Sequence, residues 1–106
     1  MAYEVRLTDS ATEELRAIRV FDRRWIVDEI KRQLRDEPTV STRNRKCLHV
    51  AVPEFEHVPP VWELRVGDYR VFYDVEEPSQ TVYVRAVHRK QPGQATEEII
   101  HEGSDN

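Results

Sequence analysis

The spacing of hydrophobic and polar positions changes along this chain, and each change predicts a different element. Residues 3–7 alternate and predict a first strand. Ser10, followed three positions later by Glu13, has the spacing of a capping box and predicts the start of a helix. A second helix is predicted from Asp22 to a point before Pro38, because proline lacks the amide proton that a helix needs. Its apolar stripe consists of Ile26, Ile30 and Leu34.

The second half of the chain alternates with a period of two and predicts four strands. Two of them, VWELRV and YRVFYDV, are joined by Gly67 and Asp68, a pair typical of a two-residue hairpin turn. KCLHVAV predicts a strand before this hairpin, TVYVRAV predicts one after it, and a short helix is predicted over 95–101. The order β-α-α-β-β-β-β(-α) predicts an α+β fold, an antiparallel sheet with a helical hairpin on one face. The length predicts one domain, 1–106, with 102–106 as a disordered tail.

The two-residue turn fixes the register of the hairpin, so that opposing residues can be counted outward from it. Apolar and aromatic side chains then share one face, which the helices are expected to cover. This face carries Trp62, Leu64, Val66, Tyr69, Val71, Tyr73 and Val75. The other face, expected to be open, carries Glu63, Arg65, Arg70, Phe72 and Asp74.

Arg65 and Arg70 lie directly opposite each other in this register. Like charges at facing positions destabilise a strand pair by roughly 0.2–1 kcal/mol. One explanation is a surface ladder of ion pairs with Glu63 or Asp74, which would contribute little. The other is a bound phosphate or carboxylate, because guanidinium groups recognise both through paired donors.

The strand after the hairpin is predicted to extend the same polar face. Its apolar positions are Val82, Val84 and Ala86. Arg85 and Arg89 have the opposite parity and would lie beside Arg65 and Arg70. Four guanidinium groups on one face would favour the anion site over the ion-pair ladder.

Composition limits the classes of function. A chain with 39% hydrophobic and 34% charged residues is typical of a small soluble globule, and a net charge of −4 argues against a protein that coats nucleic acid. A single cysteine, no secretory signal and no apolar segment of membrane length predict a cytoplasmic protein without membrane contact. The four histidines lack metal-ligand spacing, so neither a metal nor another cofactor is expected. The basic cluster of Arg43, Arg45 and Lys46 predicts either a solvated loop or a contact with a nucleic-acid backbone.

The stretch WELRVGDYRVFYDV, followed by VYVRAVHRK, resembles the C-terminal sheet of the RelE/ParE superfamily of toxins from type II toxin–antitoxin systems. The resemblance extends over residues 3–100 and implies a cognate antitoxin partner, with a toxin–antitoxin heterotetramer as one assembly. RelE-like members cut messenger RNA on the ribosome and inhibit translation, whereas ParE-like members inhibit DNA gyrase without chemistry. A third alternative is an inactive module that only binds the antitoxin.

The resemblance also implies roles for basic residues of the polar face. Arg70 matches the arginine that RelE-like nucleases place on the scissile phosphate, and Arg65 matches a basic residue of the preceding strand. A third cation, after the last strand, corresponds to Arg89 or Lys90. These cations would stabilise the negative charge that develops on the phosphorane, without a metal. Contacts with RNA are predicted for Arg85, Arg43, Arg45 and Lys46.

The base for the attacking 2′-hydroxyl would be Glu63 or His88, since branches of the family use a carboxylate and a histidine. A histidine at a strand end is also commonly an ordinary surface residue. One small sheet cannot bury every large side chain, so Phe21, Trp25 and Phe55 are expected to remain near the surface as a patch for the antitoxin.

Overall fold

The computed structural model describes residues 2–49 and 53–91. Within these residues the chain forms five strands and two helices, in the order that the sequence predicts. Their bounds are β1 Glu4–Leu7, α1 Asp9–Arg16, α2 Val20–Leu34, β2 Arg45–Leu48, β3 Val61–Val66, β4 Tyr69–Glu76 and β5 Thr81–Arg89. The helix predicted over 95–101 and the tail predicted over 102–106 lie outside the described residues.

The strands form one sheet in the order β1-β5-β4-β3-β2. The α+β class predicted from the sequence is confirmed, and β2 to β5 are antiparallel neighbours. β1 adds a parallel pair, because it joins the sheet beside β5 with Glu4 opposite Thr81 and Leu7 opposite Val84. The helices separate β1 from the other strands in sequence, so no tight turn forces it to be antiparallel. The sheet is therefore mixed, with a parallel strand at one edge.

Thr8 caps α1, and the predicted capping box at Ser10 is wrong. The Thr8 backbone is extended, and its hydroxyl oxygen accepts a hydrogen bond from the Ala11 amide at 3.2 Å. The same hydroxyl donates to the carbonyl of Val84 at 2.9 Å, which ties the helix start to β5. Because β1 ends at Leu7, Thr8 is the first residue free to turn into the helix, and Ser10 already lies inside it.

α2 covers the sheet with the apolar stripe predicted for it. It begins at Val20, two residues before the predicted start, and ends at Leu34, before Pro38. Ile26, Ile30 and Leu34 are almost fully buried. Burying a side chain of this size contributes about 1.5–3 kcal/mol. The strand side chains of the main core include Leu64, Val66, Val71, Tyr73, Val82 and Val84.

The β3–β4 hairpin has the predicted register at all five pairs, from Trp62 opposite Tyr73 to Val66 opposite Tyr69. Gly67 has φ +56°, a conformation that glycine adopts without steric cost. The side chains expected on the helix-covered face all belong to the main core or pack against it. The turn sequence therefore fixed both the register and the faces.

The parity predicted for β5 is wrong beyond Val84. A bulge in the β4–β5 pairing places Tyr73 opposite Val84 but Phe72 opposite Ala86, so Arg85 is an extra residue. A bulge changes which face the following side chains reach. Ala86 accordingly packs on the second face, and Val87 takes its place in the main core.

The second sheet face is largely buried, whereas the sequence predicted an open face. Val61, Phe72 and Ala86 form a small core there, against which Phe55 packs. The rings of Phe55 and Phe72 are 6.0 Å apart, and the backbone amide of Val58 donates to the buried carboxylate of Asp74 at 3.0 Å. The segment 53–60 thus covers part of this face, and Phe55 is half-buried and not part of an exposed patch.

Candidate functional site

Arg65, Arg70 and His88 form one straight row across three neighbouring strands of the second face. Arg70 on β4 lies opposite Arg65 on β3 and, on its other side, opposite His88 on β5. Neighbouring strands are about 4.7–4.9 Å apart, so the row places two arginines and a histidine side by side on one face. The bulge at Arg85 is what aligns His88 with this row.

Arg70 is the buried centre of the row, with 6% of its surface exposed. Its Nη1 donates to the carbonyl oxygens of Gly67 at 2.8 Å and Tyr69 at 2.9 Å. Within residues 2–49 and 53–91 it forms no ion pair. Burial lowers the pKa of the Arg70 guanidinium, and the charge of Arg65 lowers it further, against the attraction of Glu63 and Asp68. The site therefore holds a buried cation that an anion would stabilise.

Arg65 completes the cationic pair at the rim of the site. Its side chain is exposed, and its backbone amide donates to the carbonyl of Asn44 at 2.7 Å. Among residues 2–49 and 53–91, no salt bridge joins Glu63 or Asp74 to either of the two arginines. Asp74 binds Arg85, and Nζ of Lys46 is 3.7 Å from Oε1 of Glu63.

Glu63 lies in the next row of the same face, opposite Phe72 on β4 and Lys46 on β2. The residue is only 3% exposed, whereas the side chain of Lys46 is mostly exposed. A carboxylate is a proton acceptor by type, but Glu63 is two residues along β3 from Arg65 and lies outside the row.

His88 is buried, so it is not the ordinary surface histidine that the sequence left as an alternative. Its ring contacts Phe72 edge-on, with the centroids 5.9 Å apart. Its Nε2 is 2.8 Å from a carboxylate oxygen of Glu14, which reaches over from α1. Glu14 also accepts a hydrogen bond from the Val87 amide at 2.9 Å. Sequence reasoning did not find Glu14, because 74 residues separate it from His88 and no local pattern connects them.

Arg85, which the sequence predicts to contact RNA, forms an ion pair inside the second face. Its Nε and Nη2 donate to the two carboxylate oxygens of Asp74, at 2.7 and 3.2 Å. Its guanidinium also lies over the ring of Tyr83, 4.9 Å from the centroid. These contacts place Arg85 on the predicted face, but with its donors directed to Asp74.

The cluster before β3 divides into one buried and two exposed cations. Arg45 is buried on the helix-covered side and donates to the carbonyls of Gln33 at 2.5 Å and Val40 at 3.1 Å. It thereby satisfies a carbonyl at the end of α2, which is a structural role. Arg43 and Lys46 are exposed and are the members of this cluster that an RNA backbone could reach.

Arg89 lies on the side opposite to the row, and Lys90 lies just beyond the end of β5. Arg89 is opposite Tyr69, whose hydroxyl donates to Asp22 of α2 at 2.9 Å. Together with Arg19, these residues line a polar depression of about 500 Å³. The backbone amide of Lys90 donates to the carbonyl of Asp68 at 2.6 Å, which places Lys90 beside the hairpin turn.

Three solved structures have the same fold, which is that of the RelE toxins. The archaeal RelE–RelB complex from Pyrococcus horikoshii OT3 gives a TM-score of 0.65, with 22% identity over 90% of this chain and 100% of that one. The RelBE2 toxin–antitoxin complex from Mycobacterium tuberculosis gives 0.63, with 23% identity over 85% and 100%. The isolated E. coli RelE toxin gives 0.64, with 18% identity over 92% and 94%.

Residues 5–92 match the family described as ParE toxin of type II toxin–antitoxin system, parDE. The match covers most of the chain, and the chain belongs to this family. A search of curated protein sequences gave no match.

Two further observations concern the described part of the chain. No group of three or more His, Cys, Asp or Glu side chains there is arranged to hold a metal ion. Neither of the two helices described has the length and apolarity needed to cross a membrane.

Proposed function

We propose that this toxin is a metal-independent endoribonuclease that cuts messenger RNA on the ribosome and so inhibits translation. The observation that carries the proposal is the row of Arg65, Arg70 and His88 on one sheet face. It combines two cations for a phosphate with a group that can transfer protons, which are the components that RNA cleavage by the 2′-hydroxyl requires.

In the proposed reaction the 2′-hydroxyl oxygen bonds to the adjacent phosphorus while its proton passes to a base. The bond from phosphorus to the 5′-oxygen breaks, and that oxygen takes up a proton. The products are a 2′,3′-cyclic phosphate and a 5′-hydroxyl. Arg70 and Arg65 would stabilise the extra negative charge on the phosphorane oxygens. His88 would transfer the protons, since imidazole can accept and donate near neutral pH. Glu63 is the alternative base.

The proposal includes a cognate antitoxin as the protein partner. The family match and the two toxin–antitoxin complexes among the similar structures support it. The side chains of Phe21 and Trp25 on α2 are 77% and 44% exposed and line an apolar groove with Arg24 and Asp28. An amphipathic segment of the antitoxin would bury this patch, in a complex for which a heterotetramer is one assembly.

Mapping transcript ends after brief expression of the chain in bacterial cells tests the proposed activity. We expect new 5′ ends within open reading frames, in phase with codons, and none in untranslated RNA. Purified ribosomes programmed with a defined message should give the same cuts, ending in a cyclic phosphate. Intact transcripts in cells whose growth has stopped would contradict the proposal.

A second candidate function is inhibition of DNA gyrase without chemistry. The description of the matching family and the net charge of −4 favour it. Engagement of Arg45 with carbonyls and of Arg85 with Asp74 also reduces the number of cations available to phosphates. In the same cells this candidate predicts induced DNA damage with intact transcripts. An inactive module would produce neither effect and would leave growth unchanged.

A further inference from the structure

The side chain of Glu14 accepts a hydrogen bond at the edge of β5, at a place where no neighbouring strand among the described residues pairs with it. β1 pairs with β5 only as far as Val84, and among the described residues no strand continues along the edge beyond it. α1 passes over this place, and Oε1 of Glu14 accepts a hydrogen bond from the Val87 amide at 2.9 Å. A backbone amide can only donate, so this contact fixes one oxygen of the carboxylate.

The other oxygen of the carboxylate determines where the imidazole of His88 carries its proton. Oε2 of Glu14 is 2.8 Å from Nε2 of His88. A carboxylate only accepts, so Nε2 must carry a proton in both the neutral and the charged ring. In the neutral ring the lone pair is then on Nδ1. The side chain of His88 is 6% exposed, so bulk water has little access to compete for this hydrogen bond.

We propose that Glu14 is a positioning residue of the active site, which holds His88 in the tautomer protonated at Nε2. The inference rests on the proposed ribonuclease function. It assigns a role in the reaction to α1, an element that contributes none of the residues in the row. Glu14 acts only through His88, because its two oxygens face Val87 and His88.

The substitution Glu14→Gln is expected to change the tautomer of His88, while the side chain at position 14 keeps nearly the same shape. The Val87 amide still needs an acceptor, so the carboxamide must direct its oxygen to Val87 and its NH₂ group to His88. Nε2 of His88 then has to accept, and the proton of the neutral ring moves to Nδ1. Glu13→Gln is the matched control, since Glu13 is the adjacent residue and its exposed side chain pairs with Arg16.

Nitrogen-15 NMR of the imidazole ring in the purified chain measures the tautomer directly, without reference to activity. At a pH where the ring is neutral, we expect the wild type and Glu13→Gln to be protonated at Nε2 and Glu14→Gln at Nδ1. A wild-type ring protonated at Nδ1, or an unchanged tautomer in Glu14→Gln, would overturn the inference.

Cleavage of ribosome-bound message by the same three proteins tests the catalytic consequence. General acid–base catalysis contributes typically 10²–10⁴-fold, so Glu14→Gln should lower kcat by about 10²-fold or more while KM stays near the wild-type value. Glu13→Gln should cleave like the wild type. Full activity in Glu14→Gln would overturn the positioning role with the nuclease function intact. No cleavage by the wild type would overturn both, whereas the NMR result would still report the hydrogen bond itself.

Discussion

The indole of Trp25 lies directly on the backbone of Gly67. A Cβ atom built on Gly67 would be 2.6 Å from Cη2 and 2.9 Å from Cζ3 of the indole, closer than side chains pack. The carbonyl of the same glycine accepts a hydrogen bond from Arg70. The hairpin turn is therefore held between a side chain of α2 on one side and the central cation of the candidate site on the other.

Gly67→Ala is expected to destabilise the protein by about 2 kcal/mol or more. A left-handed conformation costs a residue with a Cβ roughly 1–2 kcal/mol, and the contact with Trp25 adds a steric cost. Thermal unfolding of Gly67→Ala, Trp25→Ala and the double variant separates the two contributions. In the Trp25→Ala background the glycine substitution should cost less, because only the backbone strain remains. An equal cost in both backgrounds would show that the indole does not restrict the turn.

Trp62 and Arg65 are three residues apart on β3 but point to opposite faces, and their truncation should have different effects. Trp62 lies in the main core, with its ring stacked 6.3 Å from Tyr73, so Trp62→Ala should cost about 3–5 kcal/mol. Arg65→Ala should leave the free energy of unfolding nearly unchanged, because its side chain is exposed, and should lower cleavage activity. Thermal melts of the two variants decide this, and similar destabilisation would refute the assignment of faces.

Arg70→Met should separate activity from stability. Methionine keeps an unbranched buried side chain and removes a cation that is poorly solvated and repelled by Arg65. The lost hydrogen bonds to two carbonyls oppose this gain, so the free energy of unfolding should change by less than about 1 kcal/mol. Cleavage should fall by about 10²–10³-fold, as for loss of a preorganised charge.

The matched control for this variant is Arg32→Met on the exposed side of α2, where Arg32 pairs only with Glu29 among the described residues. Its cleavage rate should equal that of the wild type. Arg70→Lys should recover part of the activity, since lysine restores the charge without the planar pair of donors. Full toxicity of Arg70→Met would rule out a phosphate at this position.

The contact between Asp22 and Tyr69 should make stability depend on pH at both ends of the scale. Hydrogen bonds from Arg19 and Tyr69 lower the pKa of Asp22 below its ordinary 3.8, so its contribution is present above that value and is lost as the pH falls further. Burial and the hydrogen bond to Asp22 raise the pKa of Tyr69 above 10.0, so its contribution is lost as the pH rises through the raised value. Chemical denaturation across pH should show both losses, and both should be smaller in Asp22→Asn. An unchanged profile in that variant would refute the assignment.

The exposed patch on α2 should be required for binding of the antitoxin. Phe21→Glu places a charge where we expect apolar contact and should abolish co-purification with the product of the adjacent gene. Its melting temperature should stay near that of the wild type, because Phe21 contributes little to the core. Lys31→Glu, also exposed on α2, is the control and should still bind. Retained binding by Phe21→Glu would place the antitoxin elsewhere on the molecule.

The sequence predicted most accurately where a short turn determines the geometry. Gly67 and Asp68 connect β3 and β4 directly, so that counting outward gave each opposing pair, including Arg65 and Arg70. The apolar stripe of α2 was predicted equally well, because apolar side chains that recur at helical spacing lie on one side of the helix, and that side faces the core. The exposure expected of Phe21 and Trp25 is confirmed.

Features that depend on distant partners could not be predicted from local patterns. Glu14 meets His88 because α1 packs against β5, and the role of Arg45 depends on where α2 ends. Thr8 and Ser10 are both of a residue type that caps helices, and the last residue of β1 determined which of them is used. The burial of the second face likewise depends on segment 53–60, which has no regular period.

Arg85 is an extra, unpaired residue that divides β5 into two halves. Odd and even positions therefore face opposite sides of the sheet in the first half and in the second. The first half directs Val82 and Val84 towards the helices, and the second half directs Val87 there while His88 joins the row with Arg70. If Arg85 paired with β4 and the strand had no bulge, odd and even positions would keep the same faces along all of β5. Either His88 would then leave the row and enter the apolar core, or the valines of the first half would leave the core. The one unpaired residue is thus what allows the same strand to keep its valines in the core and its histidine beside Arg70.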